Sequence, residues 1–379
     1  MQNTQSNIAF AKPVQIEGQA ELVAKSLASG HMSGDGPFTK ACEKQLSERL
    51  KAPTKIVSSA THALDMMGLL SEVKPGDEVI CPSFTFVSTA NAFALRGASI
   101  RFADCDLTGN ITLKEIERLT TAKTKVVVAM NYAGASPDYD PIKAYCTHKN
   151  LILCEDAAQS IGASYKGRAL GSFGDLACFS FHETKNINCG EGGALVINNH
   201  KYHDRAEIIR EKGTNRSQFM QGLVDKYSWV DLGSSFLMPD MAAAYLLPQI
   251  EKLEMINAKR ARDWQAYMSG LRQPLEKVGA HIITPPSYNE SNHHIFAFLL
   301  PKASQRPDFI KHMRARQIAT PFHYISLHLS PFGKAHYPSA QALPVTERLS
   351  DHLVRLPLFY SLSEAEIARV IDGVLSFFS

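Results

Sequence analysis

The sequence has no run of about 18 apolar residues, so no stretch of it reads as a membrane-spanning helix. It has little excess charge of either sign: 40 basic residues stand against 37 acidic ones, a formal net charge of +3. No long basic block stands out, which argues against nucleic acid as a partner and leaves only a local cationic patch for an anionic small molecule. The start, MQNTQSNIAFAKP, has no charged segment followed by an apolar one. No secretory signal is therefore expected, and the cytoplasm is the expected compartment. Cysteine is present but unpatterned. Cys42, Cys81, Cys105, Cys146, Cys154, Cys178 and Cys189 form no CxxC pair, and several fall in apolar strand patterns. They read as buried free thiols rather than disulfides or a metal site. No repeat of fixed period and no low-complexity segment occurs. What remains is the composition of a globular protein, 45% hydrophobic and 20% charged. Its 379 residues suit two domains, at a prior of roughly 150 residues each.

Taken in order, a helix is expected over 17–29, a glycine-rich loop over SGDGPF (33–38) and a helix over 39–50. A short strand at 56–58 leads through Ser59, Ala60 and Thr61 into an apolar helix at 63–70. Strand, small polar turn and helix together offer free N–H groups to a phosphate. Ser59 or Thr61 would serve equally as a plain N-cap. The strand 78–81 runs into PSFTFVSTANAF, where Phe84 and Phe86 precede a helix at 87–95. An aromatic there is either core or a flat surface for a planar ring. Strands at 100–103 and 125–131 and helices at 113–119 and 141–148 continue the alternation. That order implies an α/β fold with a mostly parallel sheet covered on both faces. Further on come a charged helix at 202–212, a long polar loop at 213–236 and one long helix at 241–270, kinked at Pro248. A strand at 294–300, a helix at 306–316 and a last helix opened by a Ser363–Glu366 capping box complete the chain. The expected division is a large domain at 1–250 and a smaller α+β domain at 251–379.

The chemistry gathers in residues 151–199. One apolar run ends in Glu155 and Asp156, with Gln159 just beyond. A second, 177–181, contains Ser180 and leads into His182 and Lys185. A turn with Gly190, Gly192 and Gly193 then opens a third run at 194–197. Polar residues at the ends of buried strands are where open α/β sheets hold ligands. Lys185 lies 29 residues after Asp156. Lysine forms a Schiff base with an aldehyde, and aspartate keeps a pyridine nitrogen protonated. That is the pair pyridoxal phosphate requires. Ser180 and the Ala60–Thr61 turn are candidates for its phosphate, and Phe86 for the face of its ring. The same Asp and Lys would also serve as an ordinary buried ion pair.

The runs SGDGPF, PGDEVICPSFTFVSTANAF and EDAAQSIGASYKGRALGSFGDLACFSFHETKN follow one another in an order that, over nearly the whole chain, resembles the DegT/DnrJ/StrS family of nucleotide-sugar aminotransferases. The resemblance implies the pyridoxal-phosphate-dependent aspartate-aminotransferase fold (fold type I). Its large domain is built on a mostly parallel seven-stranded sheet and is followed by the smaller C-terminal domain. It also implies a homodimer with its sites at the subunit interface, and pyridoxal 5′-phosphate that passes through the pyridoxamine form. By the same resemblance Lys185 bonds the cofactor and Asp156 pairs with its ring nitrogen. Gln159 lies against the ring and its hydroxyl, and Phe86 stacks on it. Ala60, Thr61 and Ser180 hold the phosphate. Where the family presents an Asn to the neighbouring subunit's phosphate, this sequence has Ser235, in Gly233-Ser234-Ser235. A lysine at 185, where dehydrating relatives have histidine, favours transamination.

The runs HETKN, EGGA, REKGTNRSQF, DKYSWVDLGSSFLM and RLPLFYSLS are most similar to members that make dTDP-4-amino-4,6-dideoxygalactose for a surface polysaccharide. They imply L-glutamate as donor and the 4-keto carbon of dTDP-4-dehydro-6-deoxy-D-glucose as acceptor. Amination at a 3-keto carbon and a gluco-configured product are the neighbouring alternatives. A non-enzymatic nucleotide-binding module is the alternative of another class. Lys212 and Arg216 are candidates for the sugar nucleotide's pyrophosphate, His323, Tyr324 and His328 for its sugar, and His182 for the pocket wall.

Overall fold

The computed structural model of the chain describes residues 6–338 and 341–379. The expected lack of a secretory signal rests in part on residues 1–5, which lie outside them. Seven strands form the main sheet: β1 Thr54–Val57, β2 Glu78–Pro82, β3 Ser99–Ala103, β4 Thr124–Met130, β5 Ile152–Asp156, β6 Leu176–Ser180 and β7 Gly193–Ile197. Their order across the sheet is β1-β7-β6-β5-β4-β2-β3. From β3 to β6 every pairing is parallel, and β7 runs antiparallel to both neighbours. The mostly parallel, seven-stranded sheet expected from the resemblance is the one found. Its strands read as continuous apolar runs because both faces are covered. Along β4, Val126 and Val128 pack in one cluster with Leu64, Met67 and Phe93, while Val127 and Ala129 face another with Tyr139 and Leu153. That is the two-residue period of a strand between two helical layers.

The chain runs outward from β2 to β3 on one side and from β4 through β5 to β6 on the other. The carboxyl ends of β2 and β4 therefore flank a switch point, where doubly wound sheets open a crevice. Register then sets the neighbours. Asp156 lies between Met130 and Cys178, and Gly193 between Val57 and Ser180.

A second, antiparallel sheet combines β8 His281–Ile282, β9 Phe296–Leu299 and β10 Leu353–Leu356. Helices Leu253–Lys277, Gln305–Ala315 and Glu364–Phe378 close a cluster over it that includes Tyr267, Phe296, Phe298, Phe309 and Val370. Ile8 joins this cluster, its N–H donating to the Gln317 carbonyl at 2.9 Å. The last helix begins with the expected capping box: Ser363 Oγ accepts the Glu366 N–H, and Glu366 accepts the Ser363 N–H.

Two details differ from expectation. The helix expected at 241–270 is two helices, Asp240–Glu251 and Leu253–Lys277, and the break falls at Lys252 rather than Pro248. Pro248 gives up an N–H and crowds the carbonyl one turn back, yet the helix carries it. Lys252 N–H still bonds the Pro248 carbonyl at 3.1 Å, and the new helix starts when Ile256 N–H bonds Lys252. In addition, the polar loop at 213–236 contains a short helix, Arg216–Met220, and presents Phe219, Met220, Leu223, Trp229 and Leu232 to solvent, Trp229 with 77% of its surface exposed. Among the described residues no helix is long and apolar enough to cross a membrane.

Candidate active site

A cavity of about 590 Å³ opens where the ends of β5 and β6 meet the start of helix Ala60–Leu70 and the residues after β2. Ala60, Thr61, Phe86, Asp156, Gln159, Ser180, His182, Lys185, His323 and Tyr324 all line it. These residues span 265 positions of the chain, from 60 to 324.

The floor at one end is the turn after β1. Ser59 is the N-cap of helix Ala60–Leu70 and accepts the His62 N–H at 3.1 Å. Capping and anion binding do not compete here. The cap takes His62, while the N–H groups of Ala60 and Thr61, which a helix start always leaves over, have no acceptor among the described residues. Ser180 ends β6 beside them. Thr61 Oγ1 and Ser88 Oγ lie 2.8 Å apart on the same wall. Free N–H groups at a helix start and an open hydroxyl fit a phosphate dianion.

β7 must approach this turn closely. A Cβ on Gly193 would stand 2.4 Å from the Ala60 nitrogen. Gly193→Ala should therefore push the helix start out of place at a cost of about 1–3 kcal/mol. Read on cofactor loading, that is a dissociation constant raised about 5- to 150-fold, measured by absorbance titration of the apoenzyme with pyridoxal phosphate. An unchanged constant would remove Gly193 from this account.

At the other end stands Asp156, buried. Its Oδ2 accepts the Thr89 hydroxyl at 2.7 Å and its Oδ1 the Ala158 N–H at 3.1 Å. Gln159 is held on both sides: its Oε1 accepts the Ala133 N–H and its Nε2 donates to the Tyr324 hydroxyl, each at 2.8 Å. The His323 ring stacks on Tyr324, with centroids 3.9 Å apart, and its Nδ1 lies 3.2 Å from the Tyr132 hydroxyl. Burial pushes the His323 imidazole well down, so the ring is neutral. Phe86, in contrast, has 55% of its surface exposed although it lines the cavity. An aromatic face left uncovered beside a cavity fits a flat ring.

Lys185 reaches the cavity from the turn after β6. Burial, the largest influence, pushes its amine down to about 8, against the pull of Asp156. The Arg355 guanidinium adds to the downward push. An amine so placed is available as a nucleophile and proton carrier near neutral pH. Phosphate cradle, carboxylate, open aromatic face and amine thus match the parts of pyridoxal phosphate one for one.

Four expected residues lie outside the cavity wall. Lys212 and Arg216 both reach Glu211, at 3.3 and 3.1 Å. Ser235 forms a bridge to the same residue. His328 is buried between Ser83 Oγ (2.7 Å) and Glu347 (3.3 Å). Conversely, Ser88, Thr89, Thr184 and Glu191 line the cavity unforeseen. Thr89 lies in the first turn of helix Val87–Ala94, and nothing local in the sequence marks it as reaching Asp156.

Residues 14–375 match the DegT/DnrJ/EryC1/StrS aminotransferase family. Similar solved structures include the aminotransferase TlmJ from Streptoalloteichus hindustanus, 29% identical, with a TM-score of 0.90 over 98% of this chain and 99% of that one. The Brucella abortus DegT DnrJ EryC1 StrS aminotransferase is 27% identical, with a TM-score of 0.85 over 95% of each chain. Spr1654 from Streptococcus pneumoniae, solved in PLP and PMP forms, is 25% and 26% identical to this chain. Both forms give a TM-score of 0.88 over 98% of this chain, and over 98% and 99% of the Spr1654 chains. Sequence, fold and cavity point the same way: the chain belongs to the DegT/DnrJ/EryC1/StrS aminotransferase family and is a pyridoxal-phosphate-dependent sugar aminotransferase.

Proposed function

We propose that this enzyme moves the amino group of L-glutamate to the 4-keto carbon of dTDP-4-dehydro-6-deoxy-D-glucose, giving the galacto-configured 4-amino sugar nucleotide for a surface polysaccharide. The observation that carries the transaminase reading is Lys185 and Asp156 on one cavity with a phosphate cradle. The sugar rests on the resemblance carried by HETKN and the other local runs.

Bound pyridoxal phosphate supplies a protonated ring that draws electron density from the reacting carbon. The chain supplies the rest. Ala60 and Thr61 N–H groups and the Ser180 hydroxyl hold the phosphate. The Asp156 carboxylate keeps the ring nitrogen protonated, and Phe86 covers one ring face. Gln159, fixed by Ala133 and Tyr324, bears on the ring and its hydroxyl. Lys185 Nζ takes the proton from the donor's α-carbon and returns one to the sugar carbon.

The second substrate carries a pyrophosphate, whereas Lys185 is the one Lys or Arg among the described residues lining this cavity, and here a second copy of the chain enters the reading. The arm at 213–236 presents an apolar face next to Lys212, Arg216 and Ser235, none of them on this chain's cavity. We infer a homodimer in which that arm meets the partner's site, Ser235 near its phosphate and the two cations near the pyrophosphate. His323 and Tyr324 border the sugar, and His182 shapes the wall. The same reading divides the chain at 250/251 and assigns it to the cytoplasm.

The test is incubation with glutamate and dTDP-4-dehydro-6-deoxyglucose, followed by NMR of the product. A 4-amino sugar with a small coupling between the protons on the third and fourth ring carbons is expected. A large coupling would make it gluco, and no aminated sugar would refute the substrate.

A further inference from the structure

Asp156 and Lys185 share one cavity and carry opposite charge. In a site of low dielectric such groups are drawn together. The carboxylate is engaged elsewhere, by the Thr89 hydroxyl on Oδ2 and the Ala158 N–H on Oδ1. Thr89 is itself held. Its Oγ1 lies 2.8 Å from Thr85 Oγ1, and its N–H bonds the Phe86 carbonyl at 3.1 Å. A carboxylate only accepts, so Thr89 gives its single proton to Asp156. Thr85 Oγ1 also lies 3.0 Å from Met130 Sδ, so its own proton is shared between that sulfur and Thr89 Oγ1. Thr85, Thr89 and Asp156 are all buried.

We propose that Thr89 is a positioning residue that holds the Asp156 carboxylate off the Lys185 ammonium, leaving the acid free for a pyridine nitrogen and the amine free to act as a base. The groups that face Lys185 make Asp156 the decisive one. Cys178 comes from β6, Arg355 from β10, His294 from the segment before β9, and His323 from the segment between helix Gln305–Ala315 and β10. Burial pushes the Cys178 thiol well up and both imidazoles well down, so these three are neutral. Arg355 is a cation. Asp156 is thus the anion whose distance sets the basicity of Lys185. The inference rests on the dependence on pyridoxal phosphate and not on the identity of the sugar, so the two can fail separately.

The test uses the apoenzyme. Lys185 is labelled with limiting acetic anhydride across a pH series and its peptide quantified by mass spectrometry. Wild type should show a midpoint at about 8. In Thr89→Val the carboxylate is released onto the ammonium, and the midpoint should rise by about 1–3 pH units, the effect of an opposite charge in contact. Thr89→Ser, which keeps the hydroxyl, should match wild type. In an Asp156→Asn background Thr89→Val should add nothing, since no carboxylate remains to move. An unchanged midpoint in Thr89→Val, or an equal rise in the Asp156→Asn background, would overturn the proposal. If circular dichroism shows Thr89→Val unfolded, Thr85→Val replaces it. It should give a smaller rise in the same direction, and no rise there is equally fatal.

Discussion

Lys185→Ala should lower the rate of transamination by about 10⁴-fold, the loss of a nucleophile together with a general base. The purified variant should also fail to keep the cofactor's visible absorbance through gel filtration. The competing proton carrier is His182, which lines the same cavity. His182 is 41% exposed at its side chain, turns its Nδ1 to Thr184 at 3.0 Å and lies 3.7 Å from Glu191. If His182 moved the proton, Lys185→Ala would retain much of its single-turnover rate when pyridoxamine phosphate and keto sugar are supplied. If Lys185 does, the variant fails in that half-reaction too, and His182→Asn costs less than the roughly 10²-fold that is the low end for a group in the proton path. Lys185→Arg should not restore activity, because guanidinium keeps the charge and offers no base. The pH dependence follows from the same burial. Only the neutral amine adds to an aldehyde, and it becomes the major form above the amine's pKa. Loading of the apoenzyme with pyridoxal phosphate should therefore accelerate as pH rises through about 8, not through the roughly 10.4 of an ordinary lysine. Stopped-flow absorbance gives that profile.

The parts of this site that follow from backbone pattern were legible in the sequence. Apolar runs ending in Asp156 and Ser180, and a small polar turn ahead of residues 63–70, give strand ends and a helix start. Those are the places where an α/β sheet has free N–H groups and open space. Phe86 was legible as a choice between core and ring surface, and its exposure removes the core reading. What could not be read is partner choice. Lys212 and Arg216 look like a cationic patch in one dimension, yet in this chain they share a single carboxylate, Glu211. His328 sits five residues from His323 but turns into the core, toward Ser83 and Glu347. Thr89 hides for the opposite reason. A threonine in an apolar helix normally bonds its own backbone, and nothing local says that this one reaches Asp156, 67 positions away. Proline is the visible breaker, so the sequence points to Pro248, whereas the helix carries Pro248 and stops one turn later, at Lys252.

Arg210→Met should destabilise the fold by about 3–5 kcal/mol, the usual loss when one member of a buried charge cluster is removed. Arg210 is 2% exposed at its side chain. Its Nη1 donates to Glu43 at 2.9 Å and to the Ile56 carbonyl at 3.1 Å, and its Nη2 contacts Asp35 and lies 3.6 Å from Glu207. Lys55 joins from β1, bridging Glu43 and Glu207. Two cations thus hold three carboxylates. Without Arg210, Lys55 alone faces Glu43 and Glu207, where water enters poorly, and Asp35 loses its cation. The consequence reaches toward function. Asp35 lies in the loop 33–38 with φ +63°, and Asp240 grips the other end of that loop through the Thr39 N–H at 2.7 Å. Losing Arg210 frees one end of the loop and loosens the start of the arm at 213–236. The pH dependence separates this account from a simple loss of packing. Burial already pushes the Glu43 carboxyl above its usual range while Arg210 pulls it back, so the variant must push it further up. A carboxyl raised in the folded state binds protons more tightly there than in the unfolded chain, so the stability of the variant rises as pH falls toward the unfolded value. Urea unfolding midpoints of wild type and Arg210→Met should therefore lie furthest apart at pH 8 and draw together toward pH 5. A gap constant with pH would mean that volume, not charge, is what Arg210 contributes.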